Sequence, residues 1–295
     1  MLLESYLTSF KRYALYEREI NPRTTKDIIN ITKRLFSYKL SQNLQDLNTT
    51  VIREFLYNQK EQRLWTARTF TNNRQYLKTF FEYCFTHDFI KENPVTKIHK
   101  PKLPKTLPRF LTKEQAHSIL FHTEFYNWRY SIEKSRNTAI IGMFLFTGMR
   151  LNELVNLKLE DVDLDNKEII IHVGKGRKER IVPIYPKLIP ILQAYLTDRK
   201  ALNIQTPWFF QSLRRHAKIS SKTIQSFCRK ISKEARVKCF PHALRHTFAR
   251  NAINAGIGLY HVKEMLGHSS VSTTEIYLSV SKQNLKQIFC EASLL

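Results

Sequence analysis

The positions of glycine and proline constrain the fold of this chain more than any other feature. All seven glycines of the 295 residues lie at or beyond Gly142, and the first 93 residues contain a single proline, Pro22. Tight turns commonly need the positive φ that glycine supplies, so a stretch without glycine has few places for them. The pattern predicts a helical N-terminal unit, followed by a second unit that is richer in turns.

Hydrophobic periodicity divides the first unit into helices. The predicted helices cover residues 2–18, 24–40, 48–61 and 65–86. In the last of these, apolar residues recur at positions i, i+3, i+4 and i+7, namely Leu77, Phe80, Phe81 and Cys84. Such a stripe on one face is typical of a helix that packs against a core.

A segment rich in proline and lysine separates the two units. Prolines occur at positions 94, 101, 104 and 108, between lysines. Because proline cannot continue a helix, this segment is expected to run extended and to span roughly 35 Å between residues 99 and 109. We therefore predict a helical domain over residues 1–98, a linker over 99–109 and a second domain over 110–295.

The second domain combines helix signals with one hairpin signal. Thr112 and Gln115 form a capping box, and Gly148 ends an apolar helix over 136–147. The alternating stretches 168–173 and 180–184 predict two strands joined by a turn. Further helices are predicted over 187–201, over 221–235, from Leu259 to Gly267, and after a capping box formed by Ser272 and Glu275. The predicted class is mainly α with a small antiparallel β-sheet (α+β).

The charge of the chain points to a polyanionic partner. Lysine and arginine total 48 against 25 acidic residues, a net charge of +23. The excess is spread along the chain rather than gathered in one amphipathic helix, which favours nucleic acid over a membrane surface. No apolar run is long enough to span a bilayer. An acidic residue at position 4, Glu4, is not expected in a signal peptide. The four cysteines show no CxxC spacing. We therefore expect a cytoplasmic, nucleoid-associated protein with reduced thiols and no membrane partner.

Polar side chains suited to phosphate chemistry occur in four short motifs of the second domain. The motif TGMRLNELVNL contributes Arg150 and Glu153, GKGRKER contributes Lys175, PHALRHTFAR contributes His242 and Arg245, and LGHSSVSTTEIYLSV contributes His268 and Tyr277. Together they supply guanidiniums, an ammonium, imidazoles and a phenol. These groups can hold a phosphate, transfer protons and form a covalent bond to phosphorus.

A tyrosine hydroxyl is mostly protonated at neutral pH and is then a weak nucleophile. Arg150 and Arg245 can lower the pKa of a nearby phenol and can bind the non-bridging oxygens of a phosphate. His242 can accept the phenolic proton, since imidazole titrates near neutrality. These properties predict that Tyr277 attacks a phosphodiester.

The remaining polar groups fit supporting roles in the same reaction. His268 can donate a hydrogen bond to a non-bridging oxygen, and Lys175 can give a proton to the departing oxygen. Glu153 follows Arg150 by three residues, on the same helical face. It is therefore expected to orient Arg150 or His242 rather than to touch the substrate.

Each piece also has a plainer explanation. Tyr277 is one of 13 tyrosines, and most tyrosines belong to cores or interfaces. The i, i+4 spacing of His242 and His246 suits zinc, but Ala243 stands where a metalloprotease motif has glutamate. The GKG at 174–176 can be an ordinary turn. The joint occurrence of all these motifs, in this order and in one basic chain, favours the catalytic interpretation and predicts no metal.

In these motifs the chain resembles the tyrosine recombinases of the Xer and phage-integrase kind. Their signature is arginine in TGxRxxEL, lysine in a hairpin GKGxKxR, then HxxRH, LGH, and tyrosine nine residues after that last histidine. The chain matches at every one of these catalytic positions, and the resemblance runs from its N-terminus to its tail. One departure is the stretch 121–137, which is longer and more aromatic than in Xer proteins.

The resemblance implies a site-specific recombinase that cleaves and rejoins DNA through a 3′-phosphotyrosyl intermediate, with no metal, ATP or other cofactor. It implies an N-terminal helical core-binding domain and a C-terminal catalytic domain that clamp double-stranded DNA between them. It also implies a homodimer on each site and a tetramer when two sites meet, alone or with a second recombinase. The tail helix would pack on its own domain or on a neighbouring subunit.

Basic residues of the first domain and the linker are candidates for DNA contacts. Arg68, Arg74 and Lys78 lie outside the apolar stripe of the helix over 65–86, and Lys102 and Lys105 lie in the linker. We expect all five to bind backbone phosphates. The alternative for each is an ordinary solvated basic surface.

Several functions fit the same motifs. Within the recombinases, the expected role is Xer-like resolution of chromosome or plasmid dimers, and the alternative is an integrase or excisionase of a mobile element. A DNA-binding protein without catalysis, and a metal-dependent nuclease, are alternatives from other classes. The intact motif set argues against the first of these. The lack of clustered Asp and Glu beside His242 and His268 argues against the second.

Overall fold

The chain forms two units of structure, residues 1–106 and 107–295, and the division falls inside the segment 99–109. A computed structural model describes residues 3–40, 43–103, 109–172, 179–213 and 217–267. Within these ranges the chain is mostly helical and has one small antiparallel sheet. The predicted fold class is therefore confirmed.

The described part of the first unit contains four α-helices. They are α1 (Leu3–Arg12), α2 (Pro22–Lys39), α3 (Thr49–Gln62) and α4 (Ala67–Thr86), and a π-helical turn, Tyr13–Glu17, follows α1. Side chains of Asn21, Asn48 and Thr66 accept hydrogen bonds from the first turns of α2, α3 and α4. These caps satisfy amide groups that have no partner within the helix, and so they set where each helix begins. All four predicted helices are confirmed.

The core of the first unit forms around α4. The predicted stripe of Leu77, Phe80, Phe81 and Cys84 is fully buried. Helices α2 and α3 pack against α4, and the ring of Phe10 meets that of Phe80 edge to face at 5.5 Å. The apolar face of α4 therefore holds this unit together.

Arg74 corrects the expectation that it binds DNA. Its side chain is only 5% exposed. The guanidinium donates hydrogen bonds to the backbone carbonyls of Val95, Thr96 and Ile98, just beyond α4. It therefore fastens the segment that precedes the linker to the core and is not available to a phosphate. The bonds to Val95 and Ile98 are buried, and a buried guanidinium needs such partners.

The second unit has seven helices and three strands within the described residues. The helices are α5 (Lys113–Phe125), α6 (Ser131–Thr147), α7 (Leu151–Asn156), α8 (Ile189–Ala201), α9 (Ser221–Glu234), α10 (Pro241–Asn254) and α11 (Leu259–Leu266). The strands are β1 (Val162–Asp163), β2 (Glu168–Ile171) and β3 (Arg180–Pro183). The predicted capping box of Thr112 and Gln115 opens α5.

Helix α6 is the centre of the second unit. It packs against α5, α8 and α10 and is buried over most of its surface. Gly148 ends α6 in the left-handed conformation, with φ +63°. This conformation suits glycine, and it allows the chain to turn at once into α7. The predicted stop at Gly148 is confirmed.

The sheet has the order β1-β2-β3, and both pairs of strands are antiparallel. Ile169 pairs with Val182, and both point into the core. The two predicted strands are confirmed, whereas the short edge strand β1 was not predicted. Residues 173–178, which contain the tip of the predicted hairpin, lie outside the described residues.

Helix α10 was also not predicted. Its buried residues include Ala243, Leu244, Thr247 and Phe248, but also Arg245. Because a charged residue lies on the buried face, hydrophobic contrast around the helix is weak and periodicity does not reveal it. The same buried arginine is one of the proposed catalytic groups.

Cys84, Cys228 and Cys239 are buried free thiols, and Cys290 lies outside the described residues. Among the helices described, none is both long enough and apolar enough to span a bilayer.

Replacing Arg74 by methionine is expected to lower the free energy of unfolding by about 3 kcal/mol. Methionine keeps an apolar stem, but two buried carbonyls and one partly buried carbonyl lose a charged donor. Arg68→Met, an exposed residue on the same helix, is the matched control and should change stability by less than about 0.5 kcal/mol. Urea unfolding followed by circular dichroism measures both. Equal effects of the two substitutions would contradict the buried anchoring role.

Candidate active site

Arg150 lies at the junction of α6 and α7, where one carboxylate fixes both its backbone and its side chain. The residue is extended, with φ −77° and ψ 152°. Its backbone N–H donates to Oε2 of Glu153 at 2.7 Å, and its Nη1 donates to Oε1 at 2.8 Å. The first bond caps α7, and the second holds the guanidinium over the start of that helix. Glu153 thus orients Arg150.

The same carboxylate binds a second arginine, which comes from the start of β3. Arg180 donates from Nη2 to Oε2 of Glu153 at 2.7 Å and from Nη1 to Oε1 at 3.0 Å. The side chains of Arg180 and Glu153 are 9% and 8% exposed. This paired geometry is the strongest arrangement available to an arginine and a carboxylate. It ties α7 to the sheet.

Glu153 remains ionised in this setting. Burial acts to raise the pKa of its carboxyl, but the hydrogen bonds and charge of Arg180, joined by the bonds from Arg150, outweigh burial. The pKa falls from its ordinary 4.5 to about 2. The carboxylate is therefore negative at any physiological pH, and it partly neutralises the two guanidiniums that it holds.

Three arginines converge on the last carbonyls of α11. Arg180 Nε donates to the carbonyl of Met265 at 2.8 Å, Arg245 Nη2 to that of Leu266 at 2.8 Å, and Arg150 Nη2 to that of Gly267 at 2.7 Å. The carbonyls at a helix C-terminus have no partner within the helix and carry partial negative charge. The end of α11 therefore collects three cations that are far apart in the sequence.

Arg245 reaches this point from the buried face of α10. The residue is 5% exposed, and its Nη1 also donates to the carbonyl of Gly148. It thereby joins the end of α6 to the end of α11. The structure thus brings Arg150, Glu153 and Arg245, all predicted from the sequence, to one place.

The two histidines of α10 differ in their surroundings. His242 is exposed on the first turn, one turn before Arg245, whereas His246 is half buried. Burial, and after it electrostatic interaction with His242 and Arg245, lowers the pKa of His246 to about 4. His246 is therefore neutral at pH 7. Within the described ranges, no three His, Cys, Asp or Glu side chains cluster in a way that would hold a metal.

Three of the predicted catalytic residues, Lys175, His268 and Tyr277, lie outside the described residues. The flanking positions are described: β2 ends at Ile171, β3 begins at Arg180, and Gly267, whose carbonyl Arg150 binds, directly precedes His268.

The predicted DNA-binding residues other than Arg74 have accessible side chains where the structure describes them. Arg68 and Lys102 are exposed, and Lys78 is half buried at the edge of a groove of about 580 Å³ that Arg18 and Glu82 also line. Lys105 lies outside the described residues.

Arg180 is the residue that the sequence interpretation missed. It is the arginine that closes the GKGxKxR pattern, but only the lysine of that pattern was given a role. The available signal was a charged residue at the start of a strand, in register with the buried Val182 and Ile184 of the alternating pattern. Its partner Glu153 is 27 residues away in the chain, so local reasoning could not pair them.

Replacing Glu153 by glutamine is expected to cost about 3 kcal/mol at pH 7. A pKa of about 2, against an ordinary 4.5, corresponds to roughly that free energy at 1.36 kcal/mol per unit. Because the folded-state pKa is lowered, the contribution is complete above about pH 4.5 and is lost as the pH falls toward 2. The difference between wild type and Glu153→Gln should therefore shrink over that interval.

Urea unfolding at a series of pH values measures this difference. Glu160→Gln removes an exposed carboxylate that pairs with Lys158, and it should have a much smaller effect because solvent screens that pair. A difference for Glu153→Gln that stays constant from pH 7 to pH 2.5 would disprove the assignment.

Gly267→Ala is expected to destabilise the second unit by about 3 kcal/mol. Gly267 has φ +63°, and an added methyl would lie 2.8 Å from Nη1 of Arg180. Gly256→Ala is the matched control: it also has positive φ, +84°, but nothing lies within 4 Å of the added methyl. The control should lose only the backbone cost, about 1–2 kcal/mol. Thermal unfolding measures both variants. Equal losses of stability would mean that the side chain of Arg180 moves away from the added methyl at no cost.

Comparison with known proteins gives the family. Residues 109–284 match the phage integrase family. Tyrosine recombinase XerC of Thermodesulfovibrio yellowstonii is 32% identical and aligns with 96% of this chain and 94% of its own length. Tyrosine recombinase XerA of Pyrococcus furiosus is 31% identical, over 90% of this chain and 88% of its own.

A solved structure shares the fold. The site-specific recombinase XerH, bound to its difH substrate in a pre-cleavage complex, aligns with 97% of this chain and 85% of its own, with a TM-score of 0.74 and 24% identity.

The family match covers more than half of the chain, and the relatives align along nearly all of it. The chain therefore belongs to the phage integrase family and is a site-specific tyrosine recombinase, an enzyme that cleaves and rejoins DNA strands.

Proposed function

We propose that this recombinase cleaves DNA with the phenol of Tyr277, at a phosphate held by Arg150 and Arg245. The observation that carries the proposal is the convergence of these two guanidiniums on the adjacent carbonyls of Leu266 and Gly267. Two motifs far apart in sequence thereby supply two cations to one point, directly before His268. A phosphate in the transition state of transfer needs this kind of fixed positive charge.

Arg150 retains the capacity to bind an anion. Its two side-chain bonds, to Glu153 and to the carbonyl of Gly267, use two of its five N–H groups. Its side chain is 36% exposed, so the remaining donors can reach solvent or a non-bridging oxygen. Because Glu153 and Gly267 already hold the guanidinium, little conformational entropy is lost when a phosphate binds.

The proposed reaction exchanges one phosphodiester for another. The Tyr277 oxygen bonds to phosphorus while the bond from phosphorus to the 5′-oxygen breaks, which leaves a 3′-phosphotyrosyl link. His242 accepts the phenolic proton, Lys175 donates a proton to the departing 5′-oxygen, and His268 donates a hydrogen bond to a non-bridging oxygen. Attack by a 5′-hydroxyl on the phosphotyrosine reverses these steps and reseals a strand. The ester energy is conserved, so neither ATP nor metal is needed.

In the proposed reaction Glu153 does not touch the DNA and acts only through Arg150. Its contacts are with Arg150 and Arg180, and its charge keeps the guanidinium of Arg150 in one orientation. The expectation that it orients His242 instead has no contact in its favour among the described residues.

The proposed substrate is double-stranded DNA, clamped by the helical unit and the catalytic unit. In this proposal residues 1–98 form a core-binding domain that contacts phosphates through Arg68 and Lys78. The linker 99–109 follows the duplex with Lys102 and Lys105. The prolines and lysines in the sequence of the linker suit this path. Two copies occupy each recombination site, and four assemble when two sites meet, alone or with a second recombinase.

The proposed biological role is resolution of chromosome or plasmid dimers, in the cytoplasm and at the nucleoid. The two relatives quoted are named XerC and XerA, and this chain aligns with 94% and 88% of their lengths. Mapping the DNA sequence that the protein protects in its genome tests this role. Protection at one chromosomal site agrees with it, whereas protection at the ends of a mobile element assigns the chain to integration instead.

Tyr277→Phe is expected to abolish covalent protein–DNA adducts on nicked site DNA, because phenylalanine lacks the nucleophilic oxygen. Binding to the same DNA should be retained. Tyr260→Phe is the matched control, since Tyr260 is an exposed tyrosine on α11, and it should form adducts like the wild type. Adducts that persist in Tyr277→Phe remove Tyr277 from its role. A wild-type protein that binds without forming adducts is a DNA-binding protein only.

Strand cleavage is expected to continue in excess chelator, since every proposed charge and proton comes from a side chain. Gel analysis of nicked DNA with and without chelator measures this. Cleavage that stops in chelator and returns with a divalent cation would indicate a hydrolytic nuclease.

A further inference from the structure

A basic groove runs along the catalytic unit beside the start of α10. It has a volume of about 370 Å³. One wall is the segment that leads into α5, with Arg109 and Phe110. The other is the segment between α9 and α10, with Arg236 and Lys238, and Ala243 of α10 also lines it. We call this the α10 groove.

The α10 groove carries three positive charges and no carboxylate. Arg109, Arg236 and Lys238 line it, and all three are exposed. Across the described ranges, none of these side chains forms an ion pair or a hydrogen bond with another group. The other arginines of this unit behave differently: Arg180 and Arg245 are buried and bonded to carbonyls or carboxylate. Like charges gathered without counter-charges repel one another, and a bound polyanion removes that cost.

Contacts hold one wall of the groove against α10. The backbone N–H of Leu111 donates to Oγ1 of Thr247 at 2.8 Å, and this hydroxyl donates to the carbonyl of Ala243. The guanidinium of Arg250 stacks on the ring of Phe110, 4.0 Å from its centroid. The segment before α5 is thereby fastened to α10 at two points. A backbone that is already held in place lowers the ordering cost of binding.

The groove adjoins the proposed catalytic residues. Ala243 directly follows His242 and precedes Arg245 by two positions on α10. A duplex whose scissile phosphate reaches these residues must therefore present its neighbouring phosphates near the mouth of the groove, since phosphates follow one another along each strand.

We propose that the α10 groove binds DNA backbone phosphates beside the scissile phosphate, through Arg109, Arg236 and Lys238. Its location relative to the scissile phosphate rests on the proposed function of His242 and Arg245. Guanidiniums bind phosphate oxygens in pairs, and these contacts read no base edges. The groove therefore positions the strand and adds affinity without adding sequence preference.

The salt dependence of binding to random-sequence duplex DNA tests the groove. Arg109→Gln, Arg236→Gln and Lys238→Gln should each reduce the slope of log affinity against log salt by about 0.9, since one phosphate contact is lost. The triple variant should lose the sum. Lys200→Gln on α8, also exposed, is the matched control and should leave the slope unchanged. Because each single variant reports separately, a misfolded triple variant does not void the result.

Slopes that stay at the wild-type value in folded groove variants overturn the proposal. A control that loses as much slope as the groove variants also overturns it, because the effect is then one of overall charge. This binding measurement does not involve Tyr277 or cleavage. Failure of the groove is thus distinguishable from failure of the proposed chemistry, which the adduct assay reports.

A second experiment replaces one phosphate at a time, near the nick of nicked site DNA, by a neutral methylphosphonate. The wild-type protein should lose affinity when one or two phosphates beside the nick are replaced. At one of these positions, Arg236→Gln should bind modified and unmodified DNA equally well, because its contact with that phosphate is already lost. Additive losses at every position would place the groove away from the scissile phosphate.

Discussion

The carboxylate of Glu153 binds two guanidiniums from different parts of the fold: Arg150 lies at the α6–α7 junction, and Arg180 lies in the sheet. Without it, Arg150 and Arg180 would lie side by side with only backbone carbonyls to balance their charges. A buried ion pair of this kind is sensitive to the loss of either partner, because the remaining charge is left uncompensated. The positions of α7, β3 and the end of α11 all depend on this one group.

The end of α11 shows how neighbouring positive charges are stabilised in a strongly basic protein. Three guanidiniums bind the carbonyls of Met265, Leu266 and Gly267. Carbonyl dipoles stabilise them without neutralising them, so a net positive field remains at this point. In the proposed reaction the phosphate meets charges already fixed in place, and fixed charges stabilise a transition state better than charges that must reorganise.

Cations in this chain fall into two groups, and the difference lies in their partners. Arg74, Arg136 and Arg199 are buried, and each donates to backbone carbonyls of another segment. They replace apolar packing with directed bonds and hold loops to helices. Arg109, Arg236 and Lys238 are exposed in one groove and have no such partners among the described residues. Composition counts the two groups alike, although only the second offers cationic groups that an incoming DNA phosphate can contact directly.

The sequence by itself determined where most helices and strands lie, and it identified the family. These properties follow from short-range patterns: apolar periodicity, capping residues, Gly148 and Gly267 at helix ends, and spacing within motifs. It also identified Arg150, Glu153 and Arg245 as candidate site residues, because residue type and position within a motif suffice to predict their chemistry. It missed α10 as a helix, since a buried arginine, Arg245, weakens the hydrophobic pattern.

Only the tertiary structure decided what each charge does. Arg150 binds a carbonyl 117 residues away, and Arg74 binds carbonyls more than 20 residues further along. Arg74 precedes Leu77 by three residues and Phe81 by seven, so helical periodicity places it on the buried face of α4. Periodicity does not identify the carbonyls that its guanidinium binds. Which carbonyl or carboxylate a guanidinium binds depends on the distance between the two groups and on their burial. Both are determined only when the chain has folded.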